Sequence, residues 1–521
     1  MIHELQLRLA PEVAFNEMRL RAEVSTHLGI DANAIRAIVP VKRSIDARQR
    51  RVMVNLTLRA YCGENPPESP LYTPADFRPV SDDAPTVIVA GAGPAGLFAA
   101  LRLIERGVRP VVLERGKDVD SRRKDTAHIA REGVVDPDSN YCFGEGGAGA
   151  FSDGKLHTRS KKRGSVDKIL QIFHQHGAQD DILVDAHPHI GTDCLPEVIK
   201  AIRKTIERCG GEVRFNTRVS SLTTDGKGGV TGVVTAAGER LSGPVILATG
   251  HSARDVYRML LDSGAHLEPK GIAVGVRLEH PQQLIDRLRY HSPAGRGKWL
   301  PAAEYTMLTR VGDRAVYSFC MCPGGFIIPA ASEPGQLVVN GMSPSNRGTR
   351  WANSGMVVEI LPEDLPEKYH GPLAMMDYQA DIERHFFEDG NGQNAPAQRM
   401  TDFVAGRMSD SLPESSYAPG VHAARVDRLL PEFVSRRLRE GFREFDRKNR
   451  GFLSDEACVI GDETRTSAPV RIVRDPETLH HTTLRGLFPC GEGAGYAGGI
   501  VSAAVDGQRC GDAAADYLNS R

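Results

Sequence analysis

The closest cysteine pair among the nine in the sequence is Cys320-Met-Cys322. Two neighbouring thiols can act as a redox pair by closing a disulfide, but a spacing of one intervening residue strains that bond. The interpretation that we favour is one buried thiol and one thiol that lines a pocket. Two thiols alone do not make a zinc or iron–sulfur site, so the sequence predicts no metal centre.

Three other residues could take part in chemistry. Cys142 lies beside a glycine-rich run, and Lys155 ends the sequence Ser-Asp-Gly-Lys, where its ammonium would suit an anionic ligand. His251 directly follows an apolar run that ends in Ala-Thr-Gly, so it is the best placed of four candidate proton donors. Core packing is the competing interpretation for Cys142, and a structural or surface role is the competing one for each histidine. The other three candidate proton donors are His157, His187 and His189.

Composition limits the classes of protein to which the chain can belong. A length of 521 residues predicts two or three domains. A charged fraction of 25% with 40% hydrophobic residues is typical of a soluble globular protein, and a net charge of -1 argues against a large nucleic-acid or anionic-membrane surface. No apolar run is long enough to span a bilayer, and the start of the chain is unlike a signal peptide. Nine cysteines without framework spacing fit reduced thiols, so we expect a cytoplasmic protein.

The elements that must position these residues centre on residues 85–115. A buried strand over Val87–Ala90 runs into Gly91-Ala-Gly93-Pro-Ala-Gly96, and helical apolar spacing follows over Leu97–Glu105. A second apolar run, Pro110–Leu113, ends in Glu114. Strand, glycine turn, helix and strand with a terminal acid form the pattern of a dinucleotide-binding unit.

Each position of this unit has a physical role. Gly91 permits the sharp turn, Gly93 lets the backbone approach a pyrophosphate, and Gly96 lets the helix pack closely against the strand. The helix N-terminus presents free N–H groups and a positive dipole end to the phosphates. Glu114 can accept hydrogen bonds from a ribose diol. The sequence therefore predicts that a ligand with an ADP half binds here.

A loop-rich stretch is expected after Glu114, with Arg115 and Arg122 as candidate partners for the phosphates. It leads to a glycine-rich run over residues 140–156, with Gly146, Gly147 and Gly149 at its centre. So many glycines are unfavourable in helices and central strands. They suit a backbone-lined surface close to a flat ligand, and a flexible loop is the competing interpretation.

Two later motifs complete the pattern. A meander of short strands that includes Val219–Thr223 feeds the run Pro244–Gly250, which ends in Ala-Thr-Gly. Near the C-terminus, residues 484–507 again read as strand, glycine turn and helix. Too few residues follow for a second complete nucleotide-binding unit. We therefore expect this last helix to aim its N-terminus at the same cofactor, where it would stabilise negative charge on a reduced flavin.

The order of these motifs resembles the two-dinucleotide-binding-domain flavoprotein superfamily in its single-Rossmann, glutathione-reductase-like branch. More narrowly, the chain resembles a group of uncharacterised bacterial FAD-dependent dehydrogenases. The segments that carry this resemblance are Tyr141–Leu156, Phe319–Gly325, Asn340–Ser343, Pro469–Ile472 and Gly491–Gly499. The resemblance covers nearly the whole chain and implies FAD and a redox role, with no defined substrate.

The fold class that we predict is α/β. It comprises a Rossmann-like FAD-binding domain, an inserted mixed α+β substrate domain and a small N-terminal α+β extension. The boundaries are 1–80 for the N-terminal unit and linker, 81–264 and 456–521 for the FAD-binding domain, and 265–455 for the insert. A basic stretch at residues 42–51 has no interleaved aromatic residues, so a solvated hairpin or an interdomain contact is favoured over a nucleic-acid site.

The function that we infer is an FAD-dependent dehydrogenase or reductase that acts on a small molecule. A flavin-dependent monooxygenase and an RNA-associated flavoprotein that docks through the N-terminal unit are the alternatives. No NAD(P)H domain is visible, so electrons would come from transiently docking NAD(P)H, from the substrate or from a carrier protein. The candidates for catalysis are Cys142, Lys155, His251, Cys320 and Cys322. The predicted cofactor-binding residues are Gly91, Gly93, Pro94, Ala95, Gly96, Glu114, Arg115, Arg122, Gly146, Gly147, Ala148, Gly149, Val219, Thr249, Gly250, Gly491, Glu492, Gly498, Gly499 and Ile500.

Overall fold

The computed structural model describes residues 1–158, 163–390 and 392–520. The chain begins with a small α+β unit whose elements are β1 (Ile2–Leu9), α1 (Pro11–Ala14), α2 (Glu17–Leu28), β2 (Ile35–Asp46) and β3 (Met53–Cys62). Its three strands form an antiparallel sheet in the order β1-β3-β2. Alternate apolar residues of β1 and β3 face Leu20 and Val24 of α2, so the unit has a small core of its own.

Strand β2 connects this unit to the rest of the protein. Arg43 forms a bidentate ion pair with Asp185, at 2.6 and 3.0 Å, and a further ion pair with Asp181 at 2.8 Å. The backbone N–H of Ala186 also donates to the Arg43 carbonyl. One arginine of the basic stretch thus makes an interdomain contact, as one of the two favoured interpretations expected.

The next part of the chain alternates strands and helices. Its elements are β4 (Thr86–Ala90), α3 (Pro94–Glu105), β5 (Arg109–Leu113), α4 (Val119–Glu132), α5 (Val166–Gln175), α6 (Asp181–Val184), α7 (Leu195–Arg208), β6 (Glu212–Arg214), β7 (Val219–Thr224), β8 (Val230–Thr235), β9 (Arg240–Ser242), β10 (Val245–Leu247) and α8 (Arg254–Asp262). Strands β7, β8 and β9 form a separate antiparallel meander.

A region with a mixed sheet and crossing helices follows. The elements of this region are β11 (Leu267–Pro269), β12 (Ile272–Pro281), α9 (Gln282–Tyr290), β13 (Leu308–Val311), β14 (Arg314–Cys322), β15 (Phe326–Pro329), β16 (Val339–Met342), β17 (Trp351–Ile360), α10 (Ala374–Gly390), β18 (Ala395–Arg399), α11 (Met400–Ala405), β19 (Val421–Ala423), α12 (Val426–Leu429), α13 (Glu432–Lys448) and β20 (Cys458–Glu463). Strands β15 and β16 pair as a separate two-stranded sheet, and β11 pairs with a later strand. Seven strands form one sheet in the order β13-β14-β17-β12-β20-β18-β19.

The chain then returns to the first large sheet through β21 (Val470–Ile472), β22 (Leu487–Pro489) and α14 (Ile500–Asn519). Strand β22 completes a five-stranded parallel sheet in the order β22-β10-β4-β5-β6. Helices α3 and α14 pack against each other, and their small residues allow a close approach: a Cβ on Gly507 would lie 2.1 Å from the Ala95 carbonyl oxygen. The predicted α/β class, with its parallel nucleotide-binding sheet, is confirmed.

The segment after Glu114 differs from the expected loop, because it contains the four-turn helix α4. Asp118 caps this helix by accepting hydrogen bonds from the N–H groups of Asp120 and Ser121. Few of the residues of α4 are apolar, and one of its buried positions is Arg122. A buried arginine hides the apolar periodicity by which an amphipathic helix is recognised in a sequence.

None of the helices in the described part of the chain combines the length and the apolar character that a membrane crossing needs.

Candidate functional site

A cavity of about 400 Å³ lies at the carboxyl ends of the parallel strands and reaches the inserted sheet. Folds with a parallel sheet bind ligands at the carboxyl ends of the strands, because the strand ends and the helix N-termini meet there. Three separate stretches of the first large sheet line one side of the cavity, and residues of β14, β15 and β16 line the other. The cavity therefore joins the two large parts of the molecule.

The glycine turn between β4 and α3 depends on close backbone contacts. A Cβ on Gly96 would lie 1.9 Å from the Gly91 carbonyl oxygen, and a Cβ on Gly91 would lie 2.4 Å from the Ala248 carbonyl oxygen. Gly91 also has a φ of +105°, which favours glycine. A Cβ on Gly93 would meet only the Gly147 Cα, at 3.9 Å, so Gly93 leaves space on the cavity wall.

Glu114 organises the backbone around this turn. Its Oε2 accepts from the N–H of Ala92 at 2.8 Å, and its Oε1 accepts from the N–H groups of Gly116 and Gly144 at 2.9 Å each. The carboxylate lies at the cavity wall with only 5% of the residue exposed. Because a carboxylate has about four acceptor positions, it can hold these three donors and still accept from a ligand hydroxyl.

The two arginines predicted to meet phosphates have different positions. Arg115 lines the cavity, pairs with Asp255 at 2.8 and 3.0 Å, and stacks 4.4 Å from the centre of the Phe143 ring. Arg122 does not line the cavity and is fully buried, so its position does not support the predicted phosphate contact.

The guanidinium of Arg122 instead holds the backbone of the glycine-rich run. It donates to the carbonyls of Asn140 at 2.7 Å, Tyr141 at 2.8 Å and Glu145 at 2.8 Å, with a longer contact to Gly144 at 3.4 Å. Burial lowers its pKa to about 10. The arginine is a positioning residue for the loop beside the cavity.

Helix α14 begins at the cavity. Gly498 and Gly499 line the wall immediately before it, and a Cβ at either position would meet no atom within 4 Å. No described side chain caps the first turn of α14 or of α3, so both helices direct N–H groups and positive dipole ends toward one cavity.

A buried ion pair fixes the turn before α14. Arg474 binds both carboxylate oxygens of Asp506, at 2.6 and 2.9 Å, and Asp506 accepts from the N–H of Gly491 at 2.8 Å. Cys490, Asp506 and Cys510 lie close enough together to hold a metal ion. The Arg474 guanidinium already lies 3.4 Å from the Cys510 Sγ, and this positive group disfavours a cation among the three residues.

Most of the predicted cofactor residues come together on the cavity wall. Those that line it are Gly91, Gly93, Pro94, Ala95, Glu114, Arg115, Gly147, Ala148, Gly149, Val219, Thr249, Gly250, Glu492, Gly498, Gly499 and Ile500. Gly96, Gly146 and Gly491 lie behind the wall, where close packing requires glycine: a Cβ on Gly146 would lie 2.4 Å from the Ile199 Cδ1, and a Cβ on Gly491 would lie 2.7 Å from the Ala95 Cβ. These three glycines shape the wall from behind.

Four of the five candidates for catalysis also line the cavity: Cys142, Lys155, His251 and Cys320. His251 lies 3.4 Å from a carboxylate oxygen of Glu492, so the two side chains can share a proton. Cys322 is fully buried behind Cys320. Cys142 is half-buried, with its Sγ 3.6 Å from the Ala330 carbonyl.

Sequence reasoning missed a charged group beside Lys155. Asp153 is almost fully buried and pairs with Lys155 at 3.3 Å and with Arg347 at 2.6 and 3.1 Å. These two cations lower the pKa of Asp153, although burial opposes them, so its carboxyl is ionised. The aspartate lies within the predicted glycine run, but Arg347 is 194 residues away along the chain, and no local pattern marks it.

A second missed group joins the inserted sheet to the first one. Glu383 of α10 is fully buried and binds Arg254 of α8 at 2.9 Å and Arg465 at 2.9 and 3.0 Å. Arg465 also lines the cavity. The two arginines lower the pKa of Glu383 to about 2 against the opposing effect of burial, so the triad keeps its charges and holds the cavity walls together.

Comparisons with known proteins identify the cofactor. Residues 84–242 match a family described as an FAD binding domain, and residues 188–325 match one described as FAD dependent oxidoreductase. Residues 271–466 match a family described as FAD-dependent protein, C-terminal domain-like, and residues 1–61 match a domain of unknown function.

A protein of Clostridium beijerinckii, described as an uncharacterized protein, is 40% identical over 510 residues, which cover 94% of each chain. The chain belongs to the same family as that protein, a family of FAD-dependent flavoproteins. Its cofactor is FAD, and the oxidoreductase class follows from the matched families.

Several solved flavoprotein structures are similar to this chain at a low level. The flavin-dependent brominase Bmp2 is 14% identical with a TM-score of 0.38, covering 84% of this chain and 79% of its own. A 3-ketosteroid dehydrogenase of Rhodococcus jostii RHA1 is 15% identical with a TM-score of 0.34, covering 84% and 99% of the two chains. Likeness at this level carries no argument about the reaction.

The residues of the cavity fit FAD. Gly93 and the pair Gly498 and Gly499 leave the wall open to a ligand, and the two uncapped helix N-termini favour anionic oxygens. Glu114 supplies the acceptor that a ribose diol needs. This fit rests on backbone donors and open glycine positions, the features with which proteins bind a pyrophosphate.

Proposed function

We propose that the protein is an FAD-dependent dehydrogenase or reductase that acts on a small molecule held between the FAD-binding residues and the inserted sheet. The observation that carries this proposal is a single cavity lined on one side by glycine turns and two helix N-termini. The other side of that cavity is lined by Lys155, Cys320 and Arg465. We further propose that the domain boundaries lie near residues 80, 264 and 455. The order of the motifs along the chain supports a place in the single-Rossmann branch of the two-dinucleotide-binding-domain flavoproteins.

The cofactor contacts that we propose follow from the wall of the cavity. The N-terminus of α3 and Gly93 would bind the pyrophosphate, and Glu114 would accept from the ribose. The N-terminus of α14, with Gly498 and Gly499, would lie toward the flavin end, where its dipole favours negative charge. Gly147 and Gly149, which lie against the N-termini of α3 and α14, would contact the same ligand.

The substrate side would select for an anionic or strongly polar molecule. Lys155 and Arg465 present positive charge to the cavity, and Phe319 and Ile328 add an apolar surface. FAD, when bound, supplies two-electron transfer. His251, close to Glu492, would hold or release the proton that accompanies the electrons.

Reduction of the purified protein in the absence of oxygen tests this proposal. The protein should be yellow as isolated or after addition of FAD, and NADH, NADPH or a candidate substrate should bleach it. Reoxidation by an acceptor other than oxygen supports a dehydrogenase or reductase. Hydroxylation of the substrate that requires oxygen would support a monooxygenase. A colourless protein that takes up no FAD would refute the proposal.

RNA binding by the same purified protein tests the RNA-associated alternative. Arg43 and Arg48, in the basic stretch, are paired with Asp185 and Asp46 respectively. Their charges are already matched within the protein, which favours the small-molecule proposal. Salt-sensitive RNA binding that disappears when residues 1–80 are deleted would instead support the RNA-associated alternative.

A further inference from the structure

Strand β14 departs from regular geometry at its two cysteines. Cys320 has a φ of +43°, a conformation that residues other than glycine rarely adopt, and the pairing with β17 shifts register between Phe319 and Cys322. Backbone of this kind is unfavourable and persists where the surrounding structure holds it. The consequence is that Cys320 reaches the cavity wall while Cys322 stays buried behind it.

Two cations, one fully buried and one half-buried, hold the backbone of this segment, and the buried one also contacts a sulfur atom. Arg277, which is fully buried, donates to the Cys320 carbonyl at 2.8 Å and lies 3.3 Å from the Cys322 Sγ. Lys155 donates to the carbonyl of Met321. A cation within contact distance of a thiol favours its thiolate form, which is the reactive form of cysteine.

One cation beside the cysteines lacks a fully ionised partner. Asp153 is shared between Lys155 and Arg347, and Arg347 also lies 3.9 Å from a carboxylate oxygen of Glu304. Glu463 pairs with Arg277 at 3.1 Å, but burial raises the pKa of Glu463 to about 7, so near neutral pH this carboxyl is only partly ionised. A thiolate at the cysteine pair would supply the missing negative charge inside a region of low dielectric constant.

The two thiols share this charge. The hydrogen bond with Cys322 lowers the pKa of Cys320, and the charges of Lys155 and Arg277 lower it further, while burial opposes them. The same hydrogen bond and burial raise the pKa of Cys322. The pair thus carries one proton and one negative charge, as one thiolate and one protonated thiol, which is the combination required for thiol–disulfide chemistry.

We propose that Cys320 and Cys322 form a redox-active pair on the substrate side of the cavity, which exchanges two electrons with the bound FAD. This proposal rests on the proposed function, because FAD is the electron partner. In the oxidative direction one S–S bond forms, the one proton of the pair leaves the sulfur atoms and two electrons pass to FAD. In the reverse direction two electrons break that bond, and one proton restores the pair of one thiolate and one thiol.

The spacing of the pair suits a disulfide that opens easily. One residue separates the two cysteines, and a disulfide closed across so short a spacing is strained. A strained disulfide has a higher reduction potential than a structural one, and such bonds are the labile or catalytic ones. The substrate class that such a pair recognises is a small thiol or disulfide that can exchange with Cys320 from the cavity.

The tryptic peptide of residues 315–347 gives a direct readout, because it contains Cys320 and Cys322 and no other cysteine. The FAD-loaded protein and the protein stripped of FAD are equilibrated in dithiothreitol redox buffers, alkylated and digested. We expect the peptide to interconvert reversibly between a doubly alkylated form and an unalkylated form that has lost two hydrogen atoms. The variant Cys320→Ser should lack the second form, whereas Cys142→Ser, on the same cavity wall, should keep it.

The electron uptake of the loaded protein tests the link to FAD. Starting from fully oxidised protein, anaerobic photoreduction should require about twice as many electron equivalents per FAD in the wild type as in Cys320→Ser. A peptide that never loses two hydrogen atoms in a protein that binds FAD would overturn the redox pair and leave the proposed function intact. Equal electron uptake in the two proteins would overturn the electron exchange. A protein that binds no FAD would overturn the proposed function and the electron exchange with it, and the peptide measurement would then report on the cysteine pair by itself.

Discussion

Replacement of Arg122 by methionine separates a positioning role from a direct cofactor contact. The side chain of Arg122 makes three strong hydrogen bonds, to the carbonyls of Asn140, Tyr141 and Glu145. Each hydrogen bond that involves a charged group contributes about 1.5–3 kcal/mol. Removal of a buried guanidinium recovers part of its desolvation penalty, since no described carboxylate pairs with it. We therefore expect a net loss of about 3–4 kcal/mol in the free energy of unfolding.

The assay is urea denaturation of the protein stripped of FAD, followed by titration with FAD. Arg122→Met should shift the unfolding midpoint and weaken FAD binding by at least about tenfold, because the glycine-rich loop loses its anchor. The matched control is Arg123→Met, which changes an exposed arginine on the same turn of α4 and should leave both quantities unchanged. If Arg122→Met weakened FAD binding without any loss of stability in the FAD-free protein, the guanidinium would contact the cofactor directly and our reasoning would be refuted.

Three further predictions follow from charged groups in and behind the cavity wall. Glu114→Gln puts an amide NH₂ group against backbone donors. We expect the free energy of unfolding, measured in urea, to fall by about 2 kcal/mol and FAD binding to weaken. Unchanged stability would contradict the three hydrogen bonds. Glu463 binds its proton more tightly in the folded state, where its pKa is about 7, than in the unfolded state, where the pKa of a glutamate is 4.5. The free energy of unfolding should therefore fall as the pH rises from 4.5 to about 7. Glu463→Gln should remove that decline, measured as the urea midpoint at each pH. An equal decline in both proteins would rule out Glu463 as its source. Lys155→Met removes a cation that favours the thiolate, so alkylation of Cys320 by iodoacetamide at neutral pH should slow about tenfold. The alkylation rate of Cys62 in the same protein is the internal control. An unchanged rate at Cys320 would show that the ammonium does not stabilise its thiolate.

The cofactor class could be predicted because its signals are local. The turn at Gly91, the close packing at Gly96 and the terminal acid Glu114 all lie within one strand–helix–strand unit. Apolar periodicity and glycine spacing over such a short stretch are governed by backbone sterics, which the sequence displays directly. The α/β class followed from the repetition of that pattern along the chain.

Helix α4 and the role of Arg122 could not be predicted from apolar periodicity and glycine spacing. The capping residue Asp118 was a visible signal, but the buried face of the helix carries an arginine in place of an apolar residue. The partners of that arginine are backbone carbonyls 18 to 23 residues further along the chain. Backbone carbonyls are common to every residue type, so no sequence pattern marks them as partners.

The sequence by itself determined an FAD-binding α/β protein, because the residues that make the dinucleotide site act through their own local backbone. The tertiary structure alone decided the substrate side, where Lys155, Arg277 and Asp153 meet the pair Cys320 and Cys322. These residues lie up to 169 positions apart in the sequence and become neighbours only when the inserted sheet closes over the parallel one. Their chemistry depends on mutual burial and on the balance of charge, which are properties of the folded assembly and of no single segment.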